Sequence, residues 1–250
     1  MDTHEYIQSI RTSGDRFVAV LEGVDLEAPV PSCPEWVVRD LVRHQAGVHA
    51  WARTIVGQRL QKSPDRDMEQ LVGGWPVDSE LLWWFQAGYE SLADVLEQAP
   101  EQLRCWTFLE AASPLVHWAR RQAHETAIHR VDAELSAGQR PVAFDPGFAS
   151  DGIDELLTAF ITRPNRGPRS EHPTSFSVQC TDSGAGWTVY YDGEKAVTER
   201  YTDPDADALV RGSASDLYLW VWHRLPQEQA ELVGDLAVIA DWNQVQVRWS

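Results

Sequence analysis

The chain is poor in cysteine. Cys33, Cys105 and Cys180 are widely spaced and odd in number, which argues against a disulfide framework and against a structural zinc knuckle. No run is long and apolar enough to span a bilayer, and the opening MDTHEYIQSIRTSGDRF puts acidic and polar groups where a signal peptide needs a basic start and an apolar core. A cytoplasmic protein that stays off membranes is therefore expected. Basic clusters are missing too. Nothing offsets a formal net charge of −17, a field that repels nucleic-acid backbones and anionic lipid, so nucleic acid is not expected as a partner. The chain has no phosphate-cradling GxxxxGK(S/T) run, no serine nucleophile elbow, no internal repeat and no low-complexity segment. Against these absences, 43% apolar and 24% charged residues are ordinary for a globular protein. The twelve tryptophans are scattered among apolar residues, as in Trp83-Trp84-Phe85 and Trp220-Val221-Trp222, and read as packing groups rather than a base-stacking platform.

The two halves of the chain differ in character, so two domains are expected, residues 1–143 and 144–250, in an α+β protein. Tyr6, Ile10, Phe17, Val20 and Leu21 recur at helical spacing over residues 4–21. Ser32 and Glu35 have capping-box spacing around Pro34, which predicts a second helix over 33–58 with Leu41, His44, Val48, Trp51 and Ile55 on its apolar stripe. A third helix is predicted from Asp78 or Ser79 to Ala99, and a fourth from Ser113-Pro114 to Gly138. Four such helices suggest an antiparallel four-helix bundle. Beyond Pro146, the alternation of Phe176, Val178 and Cys180 with polar residues and the Asp192-Gly193 pair between strand-like runs indicate sheet and a hairpin. A strand over 208–211, an apolar helix over 215–223 and a short helix near 234–242 complete a smaller mixed α/β domain.

The chemistry is concentrated in HETAIHRVDAE. Four residues of helix turn about 400°, so Glu125 and His129 project from nearly the same face. The resemblance of HETAIH to the zinc-protease pair of histidines fails by one residue, because His124 and His129 are five apart and the required position is Ile128. His44 can join Glu125 and His129 if the second and fourth helices pack together. Two histidines and one carboxylate suit zinc or another divalent first-row metal and leave a coordination position open. Spacing alone also allows a helical surface pair beside a core histidine. Asp132, one turn beyond His129, is either an acceptor for an imidazole N–H or a solvated charge. Arg120 and Arg121 read first as surface charges, His49, His117 and His124 as structural, and Cys33 as a cap-region thiol.

PSCPEWVVRDLVRHQAGVHAW, then HWARRQAHETAIHRVDAE, then GSASDLYLWVWHR together resemble the mycothiol-dependent maleylpyruvate isomerase family, in order and over nearly the whole chain. The resemblance implies a DinB-like metal-binding bundle followed by an α/β domain similar to sterol carrier proteins. It implies metal ligands at His44, eight residues after Trp36, and at Glu125 and His129, and a catalytic arginine at Arg224. Mycothiol is the implied thiol cofactor, acting with the divalent metal on a small electrophile. A thiolate adding to a cis-alkene conjugated to carbonyls leaves a single bond that can rotate, and elimination returns the trans isomer with the thiol. Without elimination the product is an S-conjugate. An isomerase or S-transferase is thus expected, the alternative being a non-catalytic metal- or small-ligand-binding protein on the same fold.

Overall fold

The computed structural model describes residues 1–226 and 229–247 and divides into two compact units, Met1–Val142 and Ala143–Ser250. The first is helical: α1 (Thr3–Leu21), α2 (Val38–Gln58), a short α3 (Met68–Val72), α4 (Leu81–Gln98) and α5 (Pro114–Ser136). Asp2 and Glu5 close a reciprocal capping box at the start of α1. Ser113 accepts from the Val116 amide at 3.2 Å, with Pro114 in the first turn of α5.

Helix directions follow from paired contacts. In α1 and α4, Arg11 pairs with Glu97 while Phe17 meets Phe85 at 4.6 Å, so the two are antiparallel. So are α2 and α5, where His44 lies 4.9 Å from His129 and Trp51 lies 5.0 Å from Trp118. The other neighbours run parallel. Tyr6 meets His124 and Arg16 meets Glu134 between α1 and α5, while His49 meets Phe85 and Arg53 meets Ser91 between α2 and α4. The parallel pair α2–α4 requires the chain to travel back along the bundle, and residues 59–80 do so. On the way, α3 rests on Gly47, where a Cβ would come within 2.8 Å of Met68.

The second helix starts five residues later than the Ser32–Glu35 spacing predicts. Residues 29–37 instead form a strap of turns closed by a Pro29–Val37 bridge, with Val30 N–H donating to Trp36 O at 3.0 Å. Asp40, not Glu35, takes the reciprocal capping role by accepting from Val37 N–H at 3.1 Å. Ser32 is engaged elsewhere, as described below.

The second unit contains α6 (Pro146–Glu155), continued by a π-helical turn over Leu156–Phe160, then β1 (Thr174–Cys180), β2 (Gly186–Tyr191), β3 (Ala196–Glu199), β4 (Ala208–Gly212), α7 (Ala214–Val221), β5 (Glu231–Gly234) and α8 (Leu236–Asn243). The sheet order is β3-β2-β1-β4-β5. β1 and β4 are parallel, and the other pairs are antiparallel. Phe176 stands opposite Val189 and Ala208, and Val178 opposite Trp187 and Val210. These residues form one buried face against helices, where Trp220 and Trp242 stack at 5.9 Å. Asp192-Gly193 makes the β2–β3 turn, the Asp192 carboxylate accepting from the amides of Glu194 and Lys195. The sequence pattern did not anticipate α6 or β5. Among the described residues, no helix is long and apolar enough to cross a membrane.

The packing of α1 against α4 depends on Gly14. A Cβ there would lie 2.8 Å from three carbons of the Tyr89 ring, which is fully buried and fixed by its hydroxyl donating to Asp15 at 2.6 Å. Overpacking at such a site costs about 1–3 kcal/mol, and the helix propensity of alanine returns ~1 kcal/mol. Gly14→Ala is therefore expected to lower stability by up to about 2 kcal/mol in denaturant titrations, against the gain that exposed helical Gly→Ala changes give.

Candidate metal centre

Glu125 and His129 share a face of α5, and the antiparallel packing of α2 brings His44 to the same point. The ligand atoms of His44, Glu125 and His129 all lie within 4.8 Å of one another. Glu125 Oε1 is the shared corner, 3.5 Å from His44 Nε2 and 3.3 Å from His129 Nε2. Both separations are long for charge-assisted hydrogen bonds, which favour about 2.7–2.9 Å. They match the edge of a tetrahedron about an ion whose bonds are about 2.0–2.1 Å, since such ligands stand about 3.3–3.4 Å apart. The donor set and spacing thus fit a divalent ion with a further position left for another ligand.

The two residues on α5 are each held from behind. The second oxygen of Glu125, Oε2, accepts from Arg121 Nη2 at 2.9 Å. His129 Nδ1 donates to Asp132 Oδ2 at 2.8 Å, and the other oxygen of Asp132 accepts from Ser32 Oγ at 2.5 Å. Asp132 is fully buried, so it is an imidazole acceptor and not a solvated charge. The Trp36 ring covers the imidazoles, its centroid 4.7 Å from that of His44 and 6.1 Å from that of His129. The strap before α2 therefore supplies both Ser32 and Trp36.

Burial and charge work against each other here. Burial would raise the Glu125 pKa, yet the nearby His129 and His44 imidazoles, with Arg121 alongside, hold it well below the usual carboxylate range. Burial would likewise lower His129, but Asp132 and Glu125 overcome this and push it up to about 9. His44 is lowered, chiefly by burial. The remaining core histidines lie apart from this point. His49 is fully buried against Phe85, with Nε2 beside Thr126 Oγ1 and Gln45 Nε2, and burial drives it down to about 3. His124 faces Tyr6, and His117 faces Phe108.

Two groups differ from their sequence reading. Arg121 is only 3% exposed, not a surface charge. Its place four residues before Glu125 was visible in the helical phase, but burial around the whole circumference of α5 was not. Ser32 looked like a helix cap and is instead the partner of Asp132. Arg224 lies in the second unit, just past α7. His223 takes the left-handed conformation, φ 58°, and the amides of His223 and Arg224 return to Trp220 and Leu219 in a Schellman arrangement. The Arg224 guanidinium donates to Trp222 O at 2.7 Å. Cys33, Cys105 and Cys180 are free thiols.

The chain matches the sequence model described as the mycothiol maleylpyruvate isomerase N-terminal domain over residues 7–134, and that described as the MDMPI C-terminal domain over residues 148–241. Among solved structures it is similar to the crystal structure of the mycothiol-dependent maleylpyruvate isomerase, with a TM-score of 0.65 and 12% identity over 93% of each chain. A histidine-to-alanine mutant of that enzyme gives 0.63 and 13% over the same shares. At these identities the structural likeness speaks to the fold. No curated protein matches the chain in sequence.

The Asp132 contact can be tested without an ion. Because His129 in the fold titrates near 9, above about 6.5 for an unperturbed imidazole, its imidazolium stabilises the ion-free protein fully below pH ~6.5. That contribution disappears as pH rises through about 9. Asp132→Asn keeps an acceptor but removes the charge. It is expected to lower the His129 midpoint by about a unit or more in an NMR titration of ion-free protein, while the His49 resonance stays unprotonated in both.

Proposed function

The chain belongs to the mycothiol maleylpyruvate isomerase family, and on that premise we propose that it is a metal- and mycothiol-dependent enzyme that isomerises a small electrophile or joins the thiol to it as an S-conjugate. The observation that carries this reading is the pair of Glu125 Oε1 separations, 3.5 and 3.3 Å, which suit a shared ion better than direct hydrogen bonds. His44, Glu125 and His129 would hold the ion, with zinc favoured by two imidazoles and one carboxylate. Bound there, a divalent ion supplies an open position at which a thiol is kept as its reactive thiolate at neutral pH, able to add to an electrophilic carbon and leave it again.

The protein groups have separate tasks. Asp132, itself held by Ser32, orients His129 through Nδ1, so that Nε2 is the atom directed toward Glu125 and His44. Trp36 lies over both imidazoles and limits the approach of water from its side. Buried Glu125 stays ionised, so no proton need be removed from it before an ion binds. His129 carries a proton in the ion-free state below about pH 9 and releases it when its Nε2 becomes a ligand. The family resemblance implies that Arg224 serves a carboxylate of the substrate or thiol, where its planar fork can make two hydrogen bonds.

Elemental analysis of the purified protein is expected to find one divalent ion per chain. His44→Ala and Glu125→Gln should weaken binding by more than the roughly 10–100-fold that loss of an outer partner costs. Wild type should turn over maleylpyruvate or a related electrophile only when mycothiol is added. An ion without turnover on any electrophile would mark a binding protein on the same fold, and no ion would remove the basis of the reading.

Arg224→Ala should leave metal content intact. Its KM for a carboxylate-bearing substrate should rise on the order of ten- to hundredfold, the equivalent of about 1.5–3 kcal/mol for a hydrogen bond to a charged group. Steady-state kinetics beside metal analysis separates this from a loss of the ion.

A further inference from the structure

Glu125 has two carboxylate oxygens, and they face different partners. Oε1 forms the corner shared with His44 and His129, at 3.5 and 3.3 Å. Oε2 accepts from Arg121 at 2.9 Å. The pairing is set within α5 itself, because residues 121, 125 and 129 succeed one another at intervals of four along one face. Both side chains are buried, Arg121 at 3% and Glu125 at 8% exposure, so water does not readily replace the guanidinium.

Resting on the metal reading given above, we propose that Arg121 is a positioning residue that keeps Glu125 a one-oxygen ligand and thereby keeps a coordination position free for the thiol. A carboxylate beside a divalent ion can bind through one oxygen or through both. Binding through both occupies a second position, which is the position the thiol needs. With Oε2 committed to a buried cation, rotation of the carboxylate toward two-oxygen binding would break a charge-assisted hydrogen bond and leave the guanidinium without that partner in a site of low polarity. Oε1 is left as the oxygen offered to the ion. Arg121 acts through Glu125, whose Oε2 it holds.

Cobalt(II) makes this measurable, because its visible absorption weakens as coordination number rises and a bound thiolate adds a sulfur-to-metal charge-transfer band. Full-length wild type, Arg121→Met and Arg121→Lys would be loaded with cobalt, checked for metal content and titrated with 2-mercaptoethanol. Wild type should give intense visible bands and a thiolate band. Arg121→Met should retain cobalt but show weaker visible bands, with a thiol dissociation constant raised on the order of ten- to hundredfold, the range for loss of an outer partner. Arg121→Lys should be intermediate, since a single ammonium replaces a rigid fork. A Met variant with the wild-type spectrum overturns the proposal, and so does one with weaker thiol binding but unchanged visible bands, which would mark a purely structural role. Should the Met variant not fold, the Lys variant decides in the same terms, reduced bands supporting the proposal and unchanged bands overturning it. Wild type that takes up no cobalt would overturn the metal reading itself. Wild type that loads and binds thiol, beside variants indistinguishable from it, overturns only the role of Arg121.

Discussion

The centre of the first unit depends on one buried carboxylate. An isolated carboxyl group at the depth of Glu125 would take up a proton sooner than stay charged. Glu125 is instead strongly acidic, because two imidazoles meet one oxygen and Arg121 meets the other. The same demand recurs along α5. Glu134, fully buried, is met by Arg16 at 2.9 Å and by Arg130 at 3.4 Å, and Asp132 is met by His129 and Ser32. A helix that buries this many charges cannot be seated by an apolar stripe alone. Its neighbours have to bring the complementary groups, and partial sets are unstable, so the polar contacts fix the register of α1, α2 and the strap before α2 against α5.

That dependence explains which parts were legible in the sequence. The four long helices were, since Tyr6, Ile10 and Phe17 on α1 and Leu41, Val48 and Ile55 on α2 repeat at helical spacing and are buried as the pattern requires. The β2–β3 turn was legible because Asp192-Gly193 has turn chemistry of its own. The shared face of Glu125 and His129 followed from helical phase alone. The start of α2 was not legible, because the local capping signal of Ser32 competes with a partner one hundred residues away. Nor was the burial of Arg121, since α5 is covered on all sides and its sequence carries no apolar stripe to mark an inner face. α6 and β5 were missed for a simpler reason: they are short, and their existence depends on the sheet and α7 beside them.

Identity of 12–13% to structures with the same fold means that most side chains differ while the backbone plan is retained. Function therefore has to be argued from the site and not from the fold. An i,i+4 Glu–His pair is common on helix surfaces, where it contributes only a few tenths of a kcal/mol. Here the pair is buried, meets a histidine from another helix, and has an outer partner behind each of its two residues. Those three features separate it from a surface coincidence, and none can be read from spacing.

The division of labour between helices also bears on how such a centre could persist as the rest of the chain changes. Arg121, Glu125, His129 and Asp132 all ride on α5, so their mutual geometry is set by helical pitch, which is insensitive to substitutions elsewhere. α2 has to deliver only His44, and the strap before it only Ser32 and Trp36. A bundle can repack its apolar contacts extensively if volume and patterning are kept. What it cannot vary freely is the rotation and height of α2 against α5, because a shift of one residue turns His44 away from Glu125 by about 100°. The constraint on the fold is thus narrow: one helix carrying most of the site, and one antiparallel contact held in register.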